Sequence, residues 1–477
     1  MPLSDLPAEI LLLIADCLDN VATNTLAYTN SQLYHLLNRL LYRRDIVKLR
    51  SKSLTWATRN GVEGTVQHAI NAGQHFTQIP RSFNIALQIA ADRGHVRLVE
   101  LLLQVDGIKP NFRRGPLEAA PLSLATKKGH SAIVELLLAA DEVDPNVRDQ
   151  SSWTPLHWAC LLGHVSIVRQ LLAENDIDLN AILYTTCTTP LTLTVTCYAN
   201  HAGDAHMEII DLLLAQDSVD VNFQGRDTAL MKATKSGLVE VVRSLLTRVD
   251  LDPNIVDSDG NHVLGTAAAR GDIDIAKLLL GHPDIDPNFM AGGGRTALME
   301  ATRPDMVKLL LDQKGIEVNG QDNLGWTALC LAACYSNIGI AKLLLEREDI
   351  DVNLPANGGL TPLCWACHND CIILVDLLLQ KDNIDPNPRD TARGRTPLAH
   401  VCHYSCCSVA VVRSLLSHPG TDSNAVDSNG FSILADLIDR RRRSSANSNG
   451  VINDSNSERD DEIEALLRAA SATRGVL

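Results

Sequence analysis

Apolar positions along the chain alternate between two patterns. The first is a narrow stripe in which a leucine is followed three and four residues later by small side chains: Leu122, Ala125 and Thr126; Leu156, Ala159 and Cys160; Leu363, Ala366 and Cys367. At about 100° per residue these positions share one face of a helix. Small residues on that face let a neighbouring helix approach closely. The second pattern is denser and rich in paired leucines, as in HVRLVELLL (95–103), HSAIVELLL (130–138) and GIAKLLL (339–345), and predicts a second helix. It often follows a glycine, such as Gly94, Gly129, Gly163, Gly237 or Gly271, a residue suited to the left-handed position that ends a helix. Leu54, Leu87, Leu122, Leu156, Leu191, Leu230, Leu264, Leu298, Leu329, Leu363, Leu398 and Leu434 mark the first helix of twelve successive repeats.

Thr-Pro pairs precede the marking leucine at Thr154-Pro155, Thr189-Pro190, Thr361-Pro362 and Thr396-Pro397, supplying a capping hydroxyl and a preset first helical residue. Each repeat closes on a turn such as VDPN at Asn146 or IDPN at Asn288 and Asn387. In GLTPLCWAC and WTPLHWACLLGH the sequence resembles the ankyrin repeat family. The resemblance implies an all-α solenoid of helix-turn-helix repeats joined by β-hairpin-like turns, spanning residues 51–473 with atypical first and last repeats. Departures are local. Ser152, Ser336 and Asp370 stand where glycine is usual, the repeat of Leu298 is shortened around Arg303-Pro304, and the repeat of Leu191 carries extra residues.

The first fifty residues read differently. Leu6-Pro7, Glu9-Ile10-Leu11, Ile14 and Leu18 describe an amphipathic helix opened by a proline, followed by a leucine-rich stretch with Leu33-Tyr34 and Leu40-Leu41-Tyr42. This segment resembles the F-box, a small helical module that docks on the adaptor subunit of cullin-RING ubiquitin ligases. The resemblance implies that Leu6, Pro7, Ile10, Leu11 and Ile14 contribute to an adaptor-binding surface. The alternative is a plain helical cap on the repeats. Near the other end, about 440–461, RRRRSSANSNGVINDSNSERDDE is polar and is expected to be a disordered insertion. Its arginine run suits a nuclear address or, with Ser444 and Ser445, a kinase site, but a solvated insertion is the preferred reading.

Composition removes several classes of function. With 42 Lys plus Arg against 57 Asp plus Glu, the formal charge of −15 argues against nucleic acid as a partner. The apolar run Ile10–Ala15 is broken by Asp16 and has no basic flank, so neither a signal peptide nor a membrane span is expected. The expectation is a monomeric intracellular chain, cytoplasmic or nuclear, whose twelve cysteines are reduced thiols.

CWACHNDC (364–371) contains the C-x-x-C-H spacing of covalent haem attachment. Packing explains it more simply. Cys367 occupies the slot filled by Ala91, Thr126 and Cys160 in other repeats, and Cys behaves there as a small hydrophobe. His201, Asp204 and His206 in the expanded repeat suggest zinc, against a polar loop as the simpler reading. AGGGR (291–295) lacks the lysine of a phosphate loop. No catalytic constellation, metal or cofactor is expected.

Two residues past each marking leucine, a side chain points about 200° away from it, toward the face left open to partners. That slot holds Trp56, Ile89, Leu124, Trp158 and Leu193 in the first five repeats, and later Lys232, Thr266, Glu300, Leu331, Trp365, His400 and Asp436. Trp153 and Trp326 precede the helix in their hairpins. Trp56, Ile89, Leu124, Trp153, Trp158, Leu193, Trp326 and Trp365 are therefore the expected partner-binding residues, since tryptophan is enriched at binding hot spots. The expected activity is non-catalytic: a substrate receptor capturing an unidentified protein, or else a scaffold independent of any ligase.

Overall fold

The computed structural model describes residues 10–11, 14–15, 18, 37, 52–73, 81–113, 117–200, 203–403, 408–447 and 454–474. Described residues are helical or turn, with no strand among them; pairing is limited to isolated bridges such as Leu183 with Thr188 and Ala356 with Leu360. The chain divides into two compact bodies, Met1–Ala233 and Thr234–Leu477.

The N-terminal body contains the helix pairs Lys52–Arg59 with Glu63–Gly73, Arg81–Arg93 with Val96–Leu103, Pro121–Lys128 with Ser131–Leu138, Pro155–Leu162 with Val165–Leu172, and Pro190–Asn200 with Asp204–Leu214. A sixth pair, Ala229–Ser236 and Val239–Leu245, falls at the division. The C-terminal body continues with Val263–Arg270 and Ile273–Leu280, Ala297–Glu300 and Pro304–Leu311, Ala328–Cys334 and Ile338–Leu345, Pro362–His368 and Ile372–Leu379, Pro397–His403 and Val409–Ser417, and Ile433–Asn447 and Asp454–Arg474. Helices therefore extend into the segment expected to be disordered, up to Asn447 and again from Asp454. Arg, Ala and Glu in that segment are good helix formers, and flanking helical turns spare it the cost of nucleation.

Within each body first helices pack on first helices and second on second, the former more tightly in most repeats. The small-residue stripe accounts for this: Ala125, Ala159, Cys160, Ala267, Ala366 and Cys367 are all fully buried. Second helices bury their branched face, Ile133, Val134 and Leu137 in one repeat and Ile167, Val168 and Leu171 in the next. Burying each such side chain contributes about 1.5–3 kcal/mol.

Local chemistry sets the ends of the helices. Thr154 accepts the backbone N–H of His157, whose side chain returns the bond in a capping box. Thr327 and Thr361 cap their helices through Cys330 and Cys364. Gly129 ends the helix Pro121–Lys128 at φ 76°, and a Cβ there would also lie 3.0 Å from the ring of His164 in the next repeat. Glycine is thus fixed twice, by conformation and by the following histidine. Ser152, Ser336 and Asp370 sit at φ 67°, 53° and 55°, the left-handed region that glycine would occupy without strain. Asp370 gains compensation by accepting hydrogen bonds from the Ser408 backbone and hydroxyl at 2.7 and 2.8 Å.

The closing asparagines do more than turn the chain. Asn146 donates from Nδ2 to the Asp176 carbonyl at 2.7 Å and accepts at Oδ1 from the Asp178 N–H at 2.7 Å, both in the next repeat. Asn111 and Asn180 repeat this clamp in the N-terminal body. Asn254, Asn288, Asn319, Asn353 and Asn387 repeat it in the C-terminal body. Every rung satisfies loop groups that would otherwise compete for water.

Candidate partner-binding surface

The tryptophans form two pairs, one in each body. In the N-terminal body Trp153 stacks on Trp158, with ring centroids 4.6 Å apart and an interplanar angle of 27°. The hairpin acid Asp149 positions both. Its Oδ1 accepts the Ser151 and Trp153 N–H groups, each at 2.9 Å, and its Oδ2 accepts the Trp158 indole N–H at 3.1 Å. Lys127, at the end of the preceding repeat's first helix, holds its ammonium 4.1 Å from the centre of the Trp158 ring, a cation–π geometry. Both rings of the pair are half-buried.

In the C-terminal body the pair crosses repeats. Trp326 from one hairpin meets Trp365 from the following repeat's first helix, with centroids 4.8 Å apart, and His368 stands edge-on to Trp365. Asp322 anchors this hairpin as Asp149 does the other, accepting the Trp326 N–H at 2.9 Å. The buried indole nitrogen of Trp365 has no hydrogen-bond partner.

Trp56 is 60% exposed, and Leu193 is half-buried. Ile89 and Leu124 are only 5% and 7% exposed, so they belong to the core and offer little to a partner. Helical phase gives the direction of a side chain from its own axis; it does not reveal what the neighbouring repeat lays over it. Of the residues expected to contribute to an adaptor-binding surface, Ile10 is 44% exposed, Leu11 is buried and Ile14 is half-buried. Leu6 and Pro7 lie outside the described residues.

The recurrent hairpin acid escaped the sequence reading. Asp149, Asp257, Asp322 and Asp427 stand five residues before the helix-capping position and Asp390 six before it, a spacing that would have revealed them. Asp257 accepts the Asp259 and Asn261 N–H groups and pairs with Lys235 at 2.7 Å. Burial pushes its pKa up, but bonds from Lys235 and Asn261 outweigh this and hold it below the usual carboxylate range. Also unforeseen is an exchange at one helix start. His157 occupies the third helical position beneath Thr154; in a later repeat His262 is itself the cap, accepting the Gly265 N–H. A Cβ at Gly265 would stand 2.5 Å from the His262 ring, so glycine accompanies the histidine.

Cys364 and Cys367 are buried and in no disulfide, with Thr361 directing its hydroxyl at the Cys364 sulfur at 3.5 Å. Burial raises the Cys364 pKa, which disfavours the thiolate that metal binding or nucleophilic attack requires. His206 packs against Gly163 and reaches the Leu161 carbonyl, the role His130 and His164 play toward their own preceding glycines. His201 lies outside the described residues. Among the described residues no cluster of three or more His, Cys, Asp or Glu is placed to hold a metal ion, and no helix is long and apolar enough to cross a membrane.

A family model described as ankyrin repeats (3 copies) matches residues 87–182, 249–322, 264–356, 304–390 and 349–427, together more than half of the chain. The chain belongs to the ankyrin repeat family. That family is one of protein-interaction modules. Among solved structures this ankyrin protein is similar to the ankyrin repeat domain of Bcl-3, a unique member of the IkappaB protein family, at 24% identity and a TM-score of 0.42 over 47% of this chain and 97% of that one. No curated protein matches the sequence.

Proposed function

We propose that this ankyrin protein is the substrate receptor of a cullin-RING ubiquitin ligase. Its N-terminal segment engages the adaptor subunit, and its tryptophan-bearing face holds the protein to be modified. The repeats give the interaction role, and the observation that carries the capture surface is the rigid, half-exposed Trp153–Trp158 pair. A stacked pair held by Asp149 and Lys127 offers aromatic area at little entropic cost, which is how hot spots concentrate binding energy. Adaptor docking is supported by Leu6-Pro7, Glu9-Ile10-Leu11 and by the exposure of Ile10.

A scaffold independent of ligases is the second reading, favoured by the burial of Leu11, Ala15 and Leu37, which suits a helical cap. A pull-down of purified adaptor by the full chain and by an Ile10→Lys variant separates the two. Capture by the wild type and loss of capture in the variant is expected. A folded wild type that captures no adaptor overturns the receptor reading in favour of the scaffold.

A further inference from the structure

In the N-terminal body the first helices of the opening four repeats end in register. Gly61, Gly94, Gly129 and Gly163 follow them, and a histidine of the next repeat packs on each glycine. His95 donates to the Arg59 carbonyl at 3.4 Å, His130 to that of Asp92 at 3.3 Å and His206 to that of Leu161 at 3.3 Å. This places Arg59, Asp92, Lys127 and Leu161 at equivalent positions, with Asn60, Arg93, Lys128 and Leu162 one residue further on. Three repeats in a row therefore end a first helix on cations, and the fourth ends on a leucine that is 43% exposed.

Those cations are largely unspent. Arg59, Arg93, Lys127 and Lys128 are exposed, and among the described residues no carboxylate pairs with Arg59, Lys127 or Lys128. Arg93 lies 3.6 Å from Asp92. Asp149, on the far side of the Trp158 ring from its own backbone partners, is occupied by the Ser151, Trp153 and indole N–H groups, while Lys127 lies over the ring itself. Other acids of these repeats stand elsewhere, Glu100 and Glu135 on second helices, Asp106, Asp141 and Asp144 in closing turns. The formal charge of −15 is also unevenly placed. Residues 52–172 carry 12 Lys plus Arg against 10 Asp plus Glu, and residues 173–477 carry 25 against 42. Since screening confines a surface field to about 8 Å, the row presents its own positive charge rather than that of the whole chain.

We infer that this row takes an extended, acidic segment of a protein partner, with carboxylates at about every third residue and an apolar side chain beside Trp158 and Leu162. Stacked helices lie about 8–10 Å apart, and three residues of extended chain span about 10 Å, so such carboxylates meet successive repeats. A nucleic-acid backbone carries charge more densely than a row with this spacing matches, and the acidic remainder of the chain repels a long polyanion. The inference rests on the reading of the Trp153–Trp158 face as a capture surface and is independent of the ligase adaptor.

The test is fluorescence anisotropy of the full chain with a labelled twelve-residue glycine-serine peptide carrying a leucine at each end and three glutamates at every third position. A glutamine counterpart, a counterpart with the three glutamates consecutive, and a twelve-nucleotide oligothymidylate are measured alongside. The spaced glutamate peptide is expected to bind, to weaken with added salt, and to lose about fivefold or more in affinity to Lys127→Gln/Lys128→Gln, while Lys127→Arg/Lys128→Arg retains it. Consecutive glutamates are expected to bind several-fold more weakly. Arg97→Gln, on a second helix where Arg97 pairs with Glu100 at 2.6 Å, is expected to leave the affinity unchanged. Absence of binding by the spaced glutamate peptide overturns the inference, as does indifference to Lys127→Gln/Lys128→Gln, equal binding of the consecutive peptide or tighter binding of the oligothymidylate. Equal binding of the glutamine peptide overturns it too, yet leaves the capture reading standing, because the leucines and the tryptophan face then suffice. Adaptor docking is measured separately by the Ile10→Lys pull-down.

Discussion

In Met1–Ala233 successive hairpin tips are joined by arginine side chains, Arg113 donating to the Arg148 carbonyl and Arg148 to that of Ile182. In Thr234–Leu477 they are joined by the main chain as well: Gly292 N–H to Gly260 O, Asn323 to Gly293, Asn357 to Leu324, Thr391 to Gly358 and Ser428 to Arg393. The tips differ in composition accordingly, QSSW and YTTC in the first body against AGGGR, NLGW, NGGL and SNGF in the second. A backbone ladder needs chains in close approach and left-handed residues, hence glycine; a side-chain ladder tolerates bulk but depends on one long donor. The same repeat is therefore closed in two ways, and each closure has its own weak point.

The largest expected effect is one the two bodies share. His157 and His262 are buried, one in each body, and burial lowers both pKa values to about 4. The unfolded chain takes up protons at these sites below pH about 6.5 while the folded chain resists, so stability falls as pH drops from about 6.5 toward 4. The loss is on the order of 3 kcal/mol per histidine at the acid end. Urea unfolding followed at a series of pH values measures it, and a flat profile between pH 7 and 5 contradicts it.

Next, Gly294→Val attacks the backbone ladder. Its φ is 78°, and a Cβ would come within 2.7 Å of Asn323 Oδ1 and 2.9 Å of its nitrogen, so a loss of about 3 kcal/mol is expected in the C-terminal body's unfolding transition. The tryptophan pairs give a smaller contrast. Trp158→Phe removes the indole bond to Asp149 and should cost about 1.5–2 kcal/mol more than Trp365→Phe, which removes a donor that has no partner. Equal costs for the two substitutions would mean that the indole bond contributes nothing. Smallest of all, Arg148→Met removes one tip rung in the first body, worth about 1 kcal/mol, and chemical denaturation of the variant should show that shift without a change in slope.

Much of this architecture was legible because repetition turns a single reading into twelve. The helix-facing Ala, Thr and Cys slots, the glycine positions and the three left-handed exceptions at Ser152, Ser336 and Asp370 all followed from aligning each repeat with the others. Cys367 was explained by its slot without any appeal to a metal. What escaped lies between repeats. The forward reach of Asn146 and its counterparts looks like ordinary turn chemistry in sequence, since VDPN does not say which loop receives the side chain. The burial of Ile89 and Leu124 likewise depends on neighbouring chain. The exchange of histidine between the cap and third positions at His262 and Gly265 broke a pattern without announcing its compensation.

The asparagine clamps also determine how the molecule answers a pulling force. Each joins one repeat to its immediate successor, so within either body tension is borne by rungs arranged in series, and the rung nearest the loaded end yields first. Stretching should therefore release the chain in increments of one repeat, about 11 nm for some 33 extended residues. Such a chain behaves as a ratcheted spring that can lose an end repeat and take it back while the rest stays closed.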